Sequence, residues 1–239
     1  MNKTALITGA SKGLGEVVAT YLARSGYALV LTARNEEPLA SVAERLSNQG
    51  GRIVAIAGDV ADPAHRAKLA GAAAELGGAD VLVNNASDLG PSPMPALIDY
   101  PTDALERVLD VNLIAPIRLT AELLPQLREH RGLVVNITSD AAVGAYENWG
   151  GYGSSKAALE LASRTLAAEL KEEGVGVVIV DPGDMRTDMH QAAFPGEDIS
   201  DRPLPDVTVP FWAWLFSCNP AAISGQRFQA QGERWEVAS

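Results

Sequence analysis

The chain has 239 residues, of which 47% are hydrophobic, and a formal net charge of −11. Its length suits a single α/β domain over residues 1–239, and its acidity argues against nucleic-acid or anionic-membrane partners. The one cysteine, Cys218, excludes an intramolecular disulfide and fits a reducing cytoplasm, and together with three histidines it predicts no metal site.

Apolar runs and helical patterns alternate along the chain, starting directly after Met1, which leaves no room for a signal peptide. Strands are predicted at 3–8, 27–32, 53–57, 80–84, 132–137, 175–180 and 226–230. Helices are predicted at 13–25, 36–48, 64–76, 103–129 and 153–173, with a short one at 207–216 that cannot span a bilayer. The continuous apolar strands predict a parallel sheet covered on both faces. We expect an α/β fold, a single-domain Rossmann-like doubly wound parallel sheet of about seven strands that binds ligands at the carboxyl ends of its strands.

The first strand leads into a glycine-rich turn, Gly9-Ala10-Ser11-Lys12-Gly13-Leu14-Gly15, which is followed by a helix. Glycines let a backbone turn tightly and approach a ligand, and a helix N-terminus offers unpaired N–H groups and the positive end of a dipole. The segment is either an ordinary tight turn or a cradle for the phosphates of a dinucleotide. The second interpretation assigns the cradle to Gly9, Ser11, Lys12, Gly13, Leu14 and Gly15.

The end of the second strand indicates which dinucleotide binds. An acid there would bind the ribose 2′-hydroxyl of NAD and repel the 2′-phosphate of NADP. The chain instead reads Thr32-Ala33-Arg34, and Arg34 together with Lys12 can hold a phosphate. NADP(H) is therefore favoured over NAD(H). Glu36 and Glu37 follow closely and weaken the argument, although they also suit the first turn of a helix.

Tyr152 and Lys156 stand four residues apart. Positions i and i+4 share one helix face, with Cβ atoms about 5–6 Å apart. A nearby ammonium group favours the phenolate and lowers the pKa of a tyrosine, which can then act as a general acid or base. The pair is either a common surface pair or a proton-transfer unit.

The pattern Thr8-Gly9-x3-Gly13-x-Gly15 together with Tyr152-x3-Lys156 resembles the short-chain dehydrogenase/reductase family. Other landmarks of that family follow in order over about residues 3–190: Asp59-Val60, Asn84-Asn85-Ala86, Asn112, Ser139, Pro182-Gly183 and Thr187. One departure is Ser87, which stands where the family usually has glycine and where family catalysis needs no side chain. The residues after 190 match no motif.

The resemblance implies a role for each landmark. It implies a catalytic group of Asn112, Ser139, Tyr152 and Lys156, of which the last two also touch the cofactor. It implies that the adenine meets Asp59 and Val60, the ribose wall contains Asn85 and Ala86, and the nicotinamide end contains Pro182, Gly183 and Thr187. It also implies a homodimer or homotetramer that forms through helices 103–129 and 153–173.

Asn112 lies four residues before Pro116 in a long predicted helix. Because proline has no N–H, the Asn112 carbonyl lacks its helical donor, and the helix should kink there. The kink either serves packing alone or, as the resemblance implies, presents a carbonyl that holds a water molecule linking Lys156 to solvent.

The segment 184–210 is long for a connection and is predicted to form a mobile flap over a small-molecule substrate. The leading hypothesis is an NADPH-dependent oxidoreductase that reversibly reduces a ketone, diketone or aldehyde to an alcohol. The alternatives are a catalytically silent NADP(H)-binding regulator and a 3-oxoacyl-carrier-protein reductase. The retained Tyr152, Lys156 and Ser139 argue against the first, and the acidic flap argues against the second, which needs a basic docking patch.

Overall fold

A computed structural model describes residues 3–237 and shows one seven-stranded parallel sheet. Its strands are β1 Thr4–Thr8, β2 Ala28–Ala33, β3 Ile53–Ala57, β4 Val81–Asn84, β5 Leu133–Ile137, β6 Gly176–Asp181 and β7 Arg227–Gln229. The strand order is β3-β2-β1-β4-β5-β6-β7, so the direction of winding reverses between β1 and β4. A crevice opens at such a reversal, outside the carboxyl ends of the strands. The predicted α/β doubly wound fold is confirmed.

Nine α-helices connect and cover the strands within the described residues. They are α1 Gly13–Arg24, α2 Glu36–Ser47, α3 Pro63–Glu75, α4 Thr102–Leu109, α5 Ala115–His130, α6 Gly150–Glu169, α7 Asp188–Ala193, α8 Val209–Leu215 and α9 Pro220–Ile223. None of the helices in residues 3–237 has the length and apolarity needed to cross a bilayer.

The sheet has an apolar core on each face because successive side chains of a strand point in opposite directions. In β1, Ala5 and Ile7 pack in a cluster with Val18 of α1 and Trp212 of α8. Leu6 packs in the other cluster, with leucines of α3 and α5. The central strands are therefore apolar at most positions, as expected for a sheet covered on both faces.

The last part of the chain completes the first of these two cores. Phe211, Trp212 and Leu215 of α8 are fully buried, and Phe228 of β7 packs on the same cluster. These aromatic rings lie edge-on or tilted against one another, with centroids 5.0–6.2 Å apart. The residues after 190, which carry no recognisable motif, thus form the β7 edge of the sheet and cover one face.

The predicted helix 103–129 is wrong as one continuous α-helix. It consists of α4, a π-helical turn at Asp110–Ile114, and α5, whose second residue is Pro116. The Ala115 N–H donates to the Asp110 carbonyl across the turn. The interruption falls where the missing N–H of Pro116 predicts it, because the Asn112 carbonyl has no i+4 donor there.

Other boundaries also differ from the predictions. Helix α6 begins at Gly150, so Tyr152 lies inside its first turn and not before it. The predicted helix 207–216 is a 3-10 turn, Pro205–Thr208, followed by α8. The predicted flap contains α7, which was not predicted from the sequence, because its six residues show no apolar stripe of helical spacing.

Candidate active site

A cleft of about 960 Å³ lies at the carboxyl ends of the central strands. Most of the predicted cofactor-binding residues line it together: Gly9, Ser11, Lys12, Gly13, Leu14, Arg34, Asp59, Val60, Asn85, Ala86, Tyr152, Lys156, Pro182 and Thr187. Gly15 lies beneath the turn, and Gly183 lines a smaller adjoining cavity of about 120 Å³, which also contains Ser139. Asn112 is fully buried behind the cleft.

Two glycines of the turn, Gly9 and Gly15, have no room for a side chain. Gly9 and Gly13 have φ values of 66° and 58°, which are left-handed. A Cβ on Gly15 would lie 2.2 Å from the Gly9 carbonyl oxygen. No side chain caps the start of α1 with a hydrogen bond. The turn therefore presents backbone and a free helix N-terminus to the cleft, and these features fit the phosphates of a dinucleotide.

Thr8 and Asn85 tie the glycine turn to the loop after β4. The Thr8 hydroxyl oxygen accepts from the N–H groups of Asn85 at 3.0 Å and Ala86 at 2.9 Å. The Asn85 side-chain amide donates to the carbonyls of Thr8 and Gly9. These hydrogen bonds hold the loops on the two sides of the crevice in fixed relative positions. Asn85 therefore shapes the cleft by positioning the backbone of the glycine turn.

Charged groups cluster at one end of the cleft. Arg34 lies 3.6 Å from Asp88, and Lys12 lies 2.6 Å from Asp188, which is the first residue of α7. Arg107 lies 2.7 Å from Asp59 and 3.6 Å from Asp88. Sequence reasoning missed Arg107, because an arginine on a helical surface carries no motif.

The predicted adenine neighbour Asp59 is held in its charged form. Burial raises the pKa of this carboxyl, but the Ala61 N–H and the Arg107 guanidinium donate to it, and the net effect lowers the pKa below its ordinary value. Because its oxygens already accept hydrogen bonds from two donors, the charged Asp59 carboxylate is held in one position beside a ligand.

The predicted catalytic pair, Tyr152 and Lys156, is buried, with exposures of 8% and 2%. The Lys156 ammonium nitrogen lies 5.5 Å from the centroid of the Tyr152 ring and donates to the Ile137 carbonyl at 3.0 Å. The surface-pair interpretation is therefore wrong. Both groups face the large cleft from α6.

The expected effect of Lys156 on Tyr152 does not hold in this structure. Burial raises the pKa of Tyr152 to about 12, Asp181 and Asp140 also raise it, and hydrogen bonds with Ser87 and Ser139 lower it. Burial lowers the pKa of Lys156 to about 7. Removing both groups from water disfavours both charged forms, and burial is the largest influence on each pKa. Activation of the phenol must therefore come from more than the lysine.

The smaller cavity adjoins Tyr152, and Ser139 also lines it. Trp149 packs edge-on against Tyr152 with ring centroids 5.9 Å apart, and Phe194 lies 5.8 Å from Trp149. His190 of α7 lines the cavity, and its Nε2 is buried without a hydrogen-bond partner. Tyr146, by contrast, is half exposed, and its hydroxyl donates to Asp140.

Within residues 3–237, no three or more His, Cys, Asp or Glu side chains lie close enough together to hold a metal ion.

A glycine-turn cleft that ends at a buried tyrosine–lysine pair is the arrangement of a dinucleotide-dependent oxidoreductase on a Rossmann-like fold. The model of the short chain dehydrogenase family matches residues 3–198. The chain belongs to that family.

Three relatives illustrate the similarity. The Pseudomonas aeruginosa 3-oxoacyl-(acyl-carrier-protein) reductase of rhamnolipid biosynthesis is 39% identical over 188 residues, which cover 76% of this chain and 72% of that protein. The 7alpha-hydroxysteroid dehydrogenase of Escherichia coli K12 is 31% identical over 241 residues, covering 96% and 93% of the two chains. A solved structure from Escherichia coli CFT073, described as a short chain dehydrogenase complexed with NADPH, has a TM-score of 0.89 and 31% identity, covering 97% and 98%.

Proposed function

We propose that this chain is an NADPH-dependent carbonyl reductase that can also run as an alcohol dehydrogenase. The observation that carries the proposal is the place of Tyr152, which lines both the large cleft and the smaller cavity. A proton donor at this junction can reach a carbonyl oxygen whose carbon faces a cofactor in the cleft. The cofactor, when bound, supplies the hydride.

Three observations support NADP(H) as the cofactor. The end of β2 carries Arg34 and no acid, and Lys12 lies in the glycine turn. Both side chains line the cleft. The Escherichia coli CFT073 neighbour was crystallised with NADPH. A guanidinium and an ammonium can hold a 2′-phosphate, which NAD lacks.

Each catalytic side chain has a distinct task in the proposal. Tyr152 gives its proton to the substrate oxygen, or takes one from an alcohol. Ser139 hydrogen-bonds that oxygen as charge develops. Lys156 holds the cofactor ribose, and the Asn112 carbonyl holds a water through which the lysine exchanges protons with solvent.

The lining of the smaller cavity supports an apolar substrate with a second oxygen. Leu89, Trp149, Met185 and Met189 provide an apolar wall. The unpartnered His190 Nε2 offers one polar contact among them. A site of this kind rejects ligands that leave its buried polar atom unpaired. A diketone with an aromatic or aliphatic substituent satisfies both features.

Different observations bear on the two alternative functions, a silent NADP(H)-binding regulator and a 3-oxoacyl-carrier-protein reductase. A silent NADP(H)-binding regulator would bind the nucleotide without turnover, whereas Tyr152, Lys156 and Ser139 are assembled here. A 3-oxoacyl-carrier-protein reductase is supported by the Pseudomonas aeruginosa relative. Against it, the flap carries six carboxylates: Asp184, Asp188, Glu197, Asp198, Asp201 and Asp206. An acidic carrier protein would be repelled by that surface.

The test is the loss of NADPH absorbance with benzil, acetophenone, benzaldehyde, acetone and acetoacetyl-acyl-carrier protein. We expect benzil to give the highest kcat/KM and acetone the lowest. Turnover of the carrier-linked substrate alone would establish the third hypothesis. NADPH binding, followed by tryptophan fluorescence, without turnover of any of these carbonyls would contradict reductase activity.

We also propose that the chain is a cytoplasmic homodimer or homotetramer. Ile114, in the π-helical turn, and Leu161, on α6, are 42% and 65% exposed. They lie in the two helical segments that the family resemblance implies for subunit contact. Light scattering should give a mass of at least twice that of one chain, and Leu161→Glu should reduce it to one.

A further inference from the structure

Ser87 lies beside the reacting tyrosine, where the family pattern has glycine. It follows Ala86 in the loop after β4, is partly buried, and lines the large cleft together with Tyr152 and Lys156. Its hydroxyl donates to Asn112 Oδ1 at 3.1 Å, and its closeness to the Tyr152 hydroxyl lowers the pKa of that tyrosine. The expectation that this position needs no side chain therefore does not fit the geometry of this chain.

The bonds of Asn112 fix the direction of the Ser87 hydrogen bond. The Asp88 carbonyl oxygen can only accept a hydrogen bond, and it accepts one from Asn112 Nδ2 at 2.8 Å. The Asp88 N–H can only donate, and it meets Asn112 Oδ1 at 2.7 Å. The amide oxygen of Asn112 consequently faces Ser87, and the Ser87 hydroxyl is the donor.

The same bonds allow the Ser87 hydroxyl to turn away at little cost. Asn112 Oδ1 would keep the Asp88 N–H, so no buried acceptor would be left unpaired. Asn112 Nδ2 would keep its second acceptor, Ser155 Oγ at 2.9 Å, and Ser155 Oγ donates to the Tyr152 carbonyl. This buried network holds the Ser87 loop against the start of α6 in either state.

Ser139, whose hydroxyl also lies close to Tyr152, already makes two other hydrogen bonds. It donates to Asp140 Oδ1 at 2.8 Å and accepts from the Ala141 N–H at 3.2 Å. In the proposed reaction its proton is also needed by the substrate oxygen. Ser87 is therefore the hydroxyl that remains available to Tyr152 itself.

We propose that Ser87 is a further catalytic residue, whose hydroxyl turns from Asn112 Oδ1 to Tyr152 Oη and donates to the tyrosinate while the substrate oxygen holds the proton. The proposal rests on the reductase function above. During reduction the Tyr152 O–H bond breaks, its proton forms the new O–H bond of the alcohol, and the carbonyl carbon receives the hydride of NADPH. Ser87 keeps its own proton throughout, and solvent later restores the proton of Tyr152.

The other charged groups around Tyr152 come from every element packed on it. They are Lys156 on α6, Asp88 on the loop after β4, Asp140 after β5, Asp181 at the end of β6, and Asp184 and His190 across the smaller cavity. A substitution at position 87 alters none of these groups chemically. A comparison of variants at that position therefore isolates the hydroxyl.

The test compares Ser87→Ala, Ser87→Gly and Ser87→Thr with the wild type, all saturated with NADP⁺. The first measurement is the tyrosinate absorbance against pH, after subtraction of the same titration of Tyr152→Phe, with circular dichroism to confirm folding. The second is the pH profile of kcat/KM for oxidation of the alcohol formed from the best ketone of the panel. Ser92→Ala is the control, because its hydroxyl lies on the cleft rim and donates to the Ala192 carbonyl at 2.6 Å.

We expect Ser87→Ala and Ser87→Gly to raise the pKa of Tyr152, since one hydrogen bond to a charged group is removed. Oxidation at pH values below that pKa should then fall about 10- to 100-fold, with the high-pH plateau unchanged. Ser87→Thr and Ser92→Ala should behave as the wild type.

Three outcomes would overturn the role of Ser87: an unchanged pKa in Ser87→Ala and Ser87→Gly, an equal loss of rate at every pH, or a matching shift in Ser92→Ala. A wild type that turns over no carbonyl or alcohol would contradict the reductase proposal instead. The tyrosinate titration would still decide the role of Ser87 in that case, because it needs no substrate.

Discussion

Replacing Lys12 and Arg34 together by alanine should remove most of the preference for NADPH over NADH. A charge-assisted hydrogen bond to phosphate contributes about 1.5–3 kcal/mol. Both side chains are 64% exposed, and each already faces a carboxylate, Asp188 or Asp88. Solvent, salt and these carboxylates reduce the contribution to about 1–1.5 kcal/mol for each residue.

Two such contributions correspond to a preference of about 30- to 150-fold in kcat/KM. The assay measures kcat/KM with each cofactor at fixed ionic strength. The double variant should mainly raise KM for NADPH and leave NADH almost unaffected, because NADH has no 2′-phosphate. Arg128→Ala is the matched control, since Arg128 is an exposed arginine on α5 that pairs with Glu173 and does not line the cleft.

Two results would refute this reasoning. An equal loss with both cofactors would mean that the glycine turn itself had been damaged. A wild type that uses NADH as well as NADPH would mean that the two cations do not hold a phosphate. Glu36 or Glu37, at the start of α2, would then be the better candidate for contact with the ribose.

Two further predictions concern the flap and the buried lysine. Backbone amides of residues 188–205 should exchange hydrogen faster without ligand than with cofactor and substrate; equal and strong protection in both states would indicate a fixed wall. Because burial lowers the pKa of Lys156 from 10.5 to about 7, the unfolded chain binds more protons between these values. The stability of the cofactor-free protein should therefore rise with pH from 7 towards 10, by up to about 1.4 kcal/mol per pH unit relative to Lys156→Met, which corresponds to about 3–6 °C in Tm. Identical pH slopes of the wild type and Lys156→Met in thermal unfolding would contradict the buried-charge argument, and above pH 10 the raised pKa of Tyr152 should make stability fall again.

The sheet and the cleft could be predicted because their signals are local in the sequence. The continuous apolar runs of β4 and β6 reflect burial on both faces. The glycine turn reflects backbone conformations that other residues adopt at a cost. Even the π-helical turn near Asn112 follows from one missing N–H at Pro116, although its form could not be read from the sequence.

The missed features depend on contacts between distant segments. Arg107 reaches Asp59 and Asp88 across the cleft, and no periodicity predicts which acid a surface arginine meets. The spacing of Tyr152 and Lys156 gave the correct helix face but the wrong sign for the pKa of the tyrosine. That sign is set by burial under the flap and the neighbouring strands, which the sequence does not quantify.

Tyr152→Phe tests the central claim most directly. It removes the hydroxyl that carries the proton and keeps the ring that packs on Trp149. The measurement is kcat with NADPH and the best carbonyl of the panel, with NADPH deuterated at its transferable position to show that hydride transfer limits the rate. The account predicts a fall of about 10²–10⁴-fold with NADPH affinity nearly unchanged. Retention of more than about a tenth of the wild-type kcat, under conditions where the isotope effect shows that chemistry is rate-limiting, would contradict it.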